Sequence, residues 1–195
     1  MIPLVLASQS PRRKELLSIL GIPFSIVPSS IDEIPARGEN PEQFVVRVAR
    51  QKGMDVASRV SQSVVLSADT VVTVDGEILG KPASPSDAAQ MLSKISGRTH
   101  RVMTGVCLVL APRRILALEH ETTRVRFRKL SAAEIRDYLR SGEPFDKAGA
   151  YGIQGLASKY VTRIEGCFFN VVGLPVPLVY EMLKPFLTDI PQRVP

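Results

Sequence analysis

The sequence predicts an α/β chain, and three observations carry that prediction. Runs of apolar, β-branched residues recur along it, the strongest being residues 64–74, Val-Val-Leu-Ser-Ala-Asp-Thr-Val-Val-Thr-Val. Between such runs lie segments that open on Ser10-Pro11, Asn40-Pro41 and Ser84-Pro85. Each pairs a helix-capping side chain with the proline that suits a first helical turn. Asp75-Gly76 then joins the strongest run to a short returning one as a two-residue hairpin turn.

Taken in order, Leu4-Val5-Leu6 reads as the first strand, followed by a helix over 11–20 that Gly21 stops. Residues 24–27 form a short strand, and 28–40 a loop punctuated by Pro and Gly that carries Glu33. Asn40-Pro41 opens a helix to about residue 60. Lys52 falls on its apolar stripe with Val45, Val48, Ala49 and Val56. A lysine there either snorkels its ammonium to water or aims it into a cleft. The Met54-Asp55 step that follows is unremarkable. After the hairpin turn, residues 77–82 return as a strand that would set Lys81 opposite Thr70.

A helix over 85–95 leads to a loop at 96–100, which makes His100 a loop or structural histidine rather than an acid–base group. Residues 101–110 and 114–128 pair antiparallel, with Glu119, Glu121, Arg124, Arg126 and Arg128 on a solvated face. Ser131 and Glu134 form a capping box for a helix to about residue 141. Residues 143–155 are a loop with glycine at 149, 152 and 155. Residues 161–172 read as one buried strand bent at Gly166, and Pro175 starts a last helix to about 187, before a frayed tail over 188–195.

The chain has 195 residues, 45% of them hydrophobic, which is enough for a core without staples. Its net charge of +6 fits a nucleic-acid surface or a small polyanionic substrate equally well. Trp is absent and aromatics make up 6%, so no base-stacking platform is indicated and no stable nucleic-acid partner is expected. Cys107 and Cys167 lie in apolar runs and read as buried free thiols without metal-ligand spacing. The start has no basic leader with a signal-length apolar segment, and no apolar run nears the ~20 residues of a membrane helix. A cytoplasmic protein without membrane contact is expected.

Residues 7–17, Ala-Ser-Gln-Ser-Pro-Arg-Arg-Lys-Glu-Leu-Leu, crowd Arg12, Arg13 and Lys14 onto a first helical turn, where the helix dipole is already positive. A bound anion reverses that argument, because helix-start N–H groups and two guanidinium forks make a phosphate site. A solvated basic turn fits the same residues. Asp69 stands in an otherwise apolar strand, where a carboxylate needs a cation, a metal or a backbone to cap. The cations Arg12, Arg13, Lys52 and Lys81, with Glu33 and Asp69, are the inventory that phosphoryl transfer assisted by a divalent ion requires. Spacing alone does not gather them into one site.

The 7–17 stretch, Ser67-Ala68-Asp69-Thr70-Val71-Val72, Gly80-Lys81-Pro82, Ser96-Gly97 with His100 and Thr104-Gly105, and the run from Asp146 to Gly155 closely resemble the Maf (septum formation inhibitor) family, in its order and across nearly the whole chain. The resemblance implies one domain over 1–195 with the fold of the inosine triphosphate pyrophosphatases: a long twisted mixed sheet and two lobes with a cleft between them. It implies a nucleoside triphosphate pyrophosphatase in which water attacks the α-phosphorus, and it suggests a homodimer. Asp69 matches the proton acceptor and, with Glu33, a metal-associated position for Mg2+ or Mn2+. Ser8, Arg12, Arg13, Lys52 and Lys81 match phosphate-contacting positions, and Arg12, Thr70 and Gln154 match positions linked to base selection. The loop Asp-Lys-Ala-Gly-Ala-Tyr-Gly-Ile-Gln-Gly looks like the branch acting on dTTP, UTP and related modified pyrimidine nucleotides. The 7-methyl-GTP branch has Cys in place of Lys147 and Glu in place of Gln154. The family name also leaves open a nucleotide-binding regulator of cell division.

Overall fold

The computed structural model describes residues 2–187; the tail expected over 188–195 lies outside them. In chain order the elements are β1 (Leu4–Leu6), α1 (Pro11–Ser18), β2 (Phe24–Ile26), α2 (Pro41–Ala57), β3 (Val64–Val74), β4 (Glu77–Leu79) and α3 (Pro85–Ile95), then β5 (Thr99–Leu110), β6 (Arg114–Phe127), α4 (Ala132–Arg140), β7 (Val161–Glu165), α5 (Phe168–Val172) and α6 (Val176–Leu183). The capping residues act as their chemistry predicts. Ser10, Asn40, Ser84 and Ser131 each accept from a backbone N–H three residues on, and Asn40–Gln43 and Ser131–Glu134 close full capping boxes.

The strands form one mixed sheet in the order β2-β1-β3-β5-β6-β7, with β4 also on β3. β2, β1 and β3 run parallel, and β5, β6 and β7 continue antiparallel. β5 pairs with β3 from Val64 to Thr73 and so occupies one whole edge of it. The other edge is shared. β1 takes residues 64–66 and β4 takes 72–74. No strand among the described residues pairs with residues 67–71 on that side, so the centre of the sheet has a gap.

Strand alternation then decides what faces where. Val64, Leu66, Ala68, Val72 and Val74 join the main core, under α1, α3, α4 and α6. Val65 and Val71 face α2 with Val45, Val48, Ala49 and Val56. α2 comes very close to the sheet at Gly105, which sits opposite Asp69 on β5. A Cβ at Gly105 would overlap the Val45 carbonyl.

Several expectations are corrected. The strand after the hairpin ends at Leu79 rather than 82, so Lys81 is not paired opposite Thr70. Residues 161–172 are not one strand. β7 stops at Glu165, and after Gly166 (φ 121°) the chain turns into α5. There the Asn170 Nδ2 donates to the Val102 carbonyl (2.9 Å) and to Thr123 Oγ1 (3.0 Å). A short apolar run has no period that separates strand from buried helix, and these contacts lie on strands remote in sequence. Cys107 is buried as expected, but Cys167 is only half-buried; both are free. Asp55 is not unremarkable: it accepts from Ser29 Oγ (2.9 Å) and Ser30 N (3.1 Å) and pairs with Arg59 (2.8 Å).

His100 belongs to β5 rather than to a loop and is 1% exposed. It packs edge-on against Phe127 and Tyr151, with Nε2 2.7 Å from the Tyr151 hydroxyl and Nδ1 without a partner. Burial pulls its pKa down to about 4.

Two outcomes follow from this packing. Gly105→Ala should destabilise the protein by about 3 kcal/mol or more, since backbone rather than a movable side chain blocks the new methyl; urea unfolding measures it. His100 stays neutral when folded but takes up a proton in the unfolded chain below its ordinary pKa. Its contribution to stability is therefore present above that value and lost as pH falls toward about 4. From pH 7 to pH 5 the loss should be about 2 kcal/mol, and His100→Gln should remove most of it in the same titration.

Candidate active site

The gap beside residues 67–71 opens into a cavity of about 980 Å³, at the upper end of the range for small-molecule sites. Because the edge is unpaired, the cavity wraps around it and touches both faces of the sheet. Asp69 and Thr70 are consecutive and point to opposite faces, yet both line the same space.

On the α2 face, Asp69 is 3% exposed. Lys52, 7% exposed, places its Nζ 2.7 Å from Asp69 Oδ1 and 2.6 Å from Glu33 Oε1. The lysine thus points into the cleft and bridges two carboxylates. Burial pushes the Asp69 carboxyl up, against the pull of Lys52 and Arg13. Burial also opposes charge on the half-exposed Glu33, but its hydrogen bond to Lys52 and the nearby cations hold that carboxyl below its usual range.

Glu33 is carried by residues 28–40, which have no regular structure but are stapled to α2. Arg47 bonds both Glu39 oxygens (2.6 and 2.7 Å) and the Ile34 carbonyl (2.9 Å). Asp55 and Arg59 hold the other end at Ser29, Ser30 and the Pro28 carbonyl. These anchors escape sequence reasoning, although Arg47 and Asp55 sit on the same helix as Lys52.

On the opposite face stands the start of α1. The Arg13 Nε donates to the Gly173 carbonyl (2.9 Å), and Nη2 donates to Thr70 Oγ1 (3.1 Å). Nη1 lies 3.4 Å from Ser8 Oγ, which also accepts from Ser10 N. Burial lowers the Arg13 pKa, and Asp69 and Glu33 oppose that shift; a guanidinium stays charged regardless. Thr70 Oγ1 is also 2.9 Å from Thr104 Oγ1. Arg13 therefore ties α1, β3 and the end of α5 together while its charge faces the cavity's carboxylates.

Arg12 reaches across the cleft instead. Its Nη1 pairs with Asp146 Oδ2 at 2.9 Å. Burial opposes ionisation of Asp146, but Lys147 (2.5 Å) and Arg12 outweigh it and hold its pKa down to about 2. The loop from Asp146 to Gly155 is the wall facing α1. It is anchored by Gly149 N to the Gly80 carbonyl (3.0 Å), next to Lys81. Lys81 and Gln154 are exposed, line the cavity and have no side-chain partner among the described residues. All the residues singled out in the sequence, Ser8, Arg12, Arg13, Glu33, Lys52, Asp69, Thr70, Lys81 and Gln154, line this one cavity. Asp146 and Glu143 also line it and were not singled out, and Lys147, which lines it too, entered only as a position that separates the branches. The charged residues of the 143–155 loop were the available signal.

The family model for Maf-like protein matches residues 3–186. A dTTP/UTP pyrophosphatase of Syntrophomonas wolfei is 52% identical over 185 residues, 95% of this chain and 98% of that protein. A dTTP/UTP pyrophosphatase of Moorella thermoacetica is 51% identical over 194 residues, the full length of both. Among solved structures, a HAM1 protein from Coxiella burnetii aligns with a TM-score of 0.53 at 14% identity, covering 95% of this chain and all of the other. That likeness shows the fold alone, and it agrees with the expected α/β architecture built on a mixed sheet. With the family model spanning all but the ends and relatives about half identical from end to end, this chain belongs to the Maf-like protein family.

Proposed function

We propose that this protein is a nucleoside triphosphate pyrophosphatase that hydrolyses dTTP and UTP to the monophosphate and pyrophosphate by attack of water on the α-phosphorus. The observation that carries the reading is Asp69, a buried carboxylate on the unpaired edge of β3, facing a cavity large enough for a nucleotide and ringed by Arg12, Arg13, Lys52 and Lys81. The names of the relatives at about 50% identity support the substrate class.

In this reading Asp69 takes the proton of the attacking water, a role that a carboxyl pushed up by burial suits. Lys52, Lys81, Arg13 and Ser8 receive the phosphates, and Arg12 exchanges Asp146 for the nucleotide. The residues also fit a divalent cation. The Glu33 and Asp69 oxygens converge on one point now held by the Lys52 ammonium, and hard carboxylate oxygens suit Mg2+ or Mn2+, which take one or two carboxylates plus substrate oxygens. When bound, such an ion neutralises phosphate charge and polarises the phosphoryl oxygens. Gln154 can accept from N3–H and donate to O4 of uracil or thymine. dTTP and UTP share that edge, so Gln154 does not separate them.

The purified protein with Mg2+ or Mn2+ should release pyrophosphate from dTTP and UTP, and a chelator should stop it. Asp69→Asn should lower kcat by roughly 10²- to 10⁴-fold with an unchanged unfolding midpoint. An inert protein in a coupled pyrophosphate assay across the nucleoside triphosphates would sink the reading.

A further inference from the structure

Gln154 sits in a turn closed by Gly155 N–H on the Gly152 carbonyl (3.1 Å), just before a 3-10 helix over Leu156–Tyr160, and two side chains from outside this turn also hold it. Two residues before it, Gly152 N–H donates to the Tyr138 hydroxyl (3.3 Å). Two residues after it, Leu156 N–H donates to Glu143 Oε2 (2.8 Å). The two holders are themselves joined, because the Tyr138 hydroxyl donates to Glu143 Oε1 (2.8 Å). Burial first, and the Glu143 carboxylate second, keep the phenol of Tyr138 protonated far above its ordinary range. Tyr138 is thus the donor of that bond, and its lone pairs are left for Gly152.

Other contacts fit the same arrangement. Glu143 lines the cavity, yet its carboxylate pairs with no cation among the described residues. The adjacent Lys147 ammonium goes to the Glu143 backbone carbonyl (2.7 Å) and to Asp146 (2.5 Å) instead. The two Glu143 carboxylate oxygens accept from the Tyr138 hydroxyl (Oε1) and from Leu156 N–H (Oε2). The chain passes so close at Gly155 that a Cβ there would overlap both oxygens, so glycine at this position is a condition of the contact. Tyr138 is itself fixed: it is 2% exposed and packs edge-on against Tyr160.

We propose that Tyr138 and Glu143 form a clamp that sets where Gln154 stands in the cavity, and thereby set the base selectivity of the enzyme. The clamp rests on the nucleotide reading of Gln154 given above. Neither residue touches the reacting phosphorus in this account; both are positioning residues. A turn gripped two residues to either side of the reading amide holds that amide at one place. Loosening either grip lets the amide drift from the base edge while the chemistry around Asp69 stays intact.

The test is a selectivity cycle on the full chain. Tyr138→Phe and Glu143→Gln are each assayed on UTP, CTP and ATP, alone and combined with Gln154→Ala. Each clamp variant should raise the KM for UTP and lower the UTP/CTP and UTP/ATP ratios of kcat/KM by about 5- to 10-fold, the size expected for one displaced hydrogen bond. kcat on UTP should change less than about 2-fold, as expected when binding rather than chemistry is disturbed. In the Gln154→Ala background the clamp variants should have no further effect on the ratios. Gly155→Ala displaces the carboxylate without deleting it and should reproduce the loss. Unfolding midpoints identify any variant that fails to fold, and Tyr138→Phe, which keeps the ring, then carries the test. Unchanged ratios in the active variants, or equal losses with and without Gln154, overturn the clamp. An unaltered protein that hydrolyses none of these nucleotides overturns the functional reading, and the clamp's role with it.

Discussion

Everything in this molecule that bears on chemistry depends on a shortage of strand on one edge of β3. β3 has eleven residues, while β1 and β4 have three each, and both must share the edge that β5 leaves free. Among the described residues no strand pairs with the five residues between them on that edge. An unpaired edge inside a sheet is a liability because its backbone groups lack partners. Here it becomes a place where one strand can present side chains from both faces to a single space. Asp69 and Thr70 would lie on opposite sides of a solid wall if β1 were a few residues longer.

Around that gap the charges are arranged in linked pairs rather than as a diffuse basic surface. Lys52 bonds Asp69 and Glu33 together and the nearby Arg13 adds a second positive charge, which makes a carboxylate at 3% exposure tolerable. Arg13 is drawn into neutral acceptors on three elements, and Arg12 is balanced across the cleft by Asp146. Each cation suited to a phosphate thus has another partner, apart from Lys81 at the mouth, which has no side-chain partner among the described residues. Exchanging those partners for a polyphosphate keeps the cations paired, so the open cavity is receptive to an anion.

Much of this was legible in the sequence, for identifiable reasons. Capping side chains at residues 10, 40, 84 and 131 act on backbone three residues away, so the helix starts could be read locally. The long apolar run of β3 has no plausible helical reading with Asp75-Gly76 behind it. Asp69 in an apolar strand pointed to a charge in need of a partner, because such residues rarely lie there unpaired, while Lys52 on an apolar stripe fitted a snorkelling lysine as well as one aimed into a cleft. What failed was decided at a distance. The strand expected over 161–172 gives way to α5 because Asn170 finds Val102 and Thr123. His100 enters β5 rather than a loop because Phe127 and Tyr151 enclose it.

The sequence by itself determined the alternation of strands and helices, the positions of the caps and the hairpin, and which residue types were available for phosphate chemistry, since these follow from local backbone preferences and from the cost of misplaced charge. Only the tertiary structure decided that Glu33, Lys52 and Asp69 converge, that Arg12 meets Asp146 and that Tyr138 reaches Glu143 beside Gln154. The first of these depends on the register of β3 and on α2 settling against Gly105, and the others on separate parts of the chain closing around the cavity. No residue's own propensity encodes a register; it emerges when all the faces are buried at once.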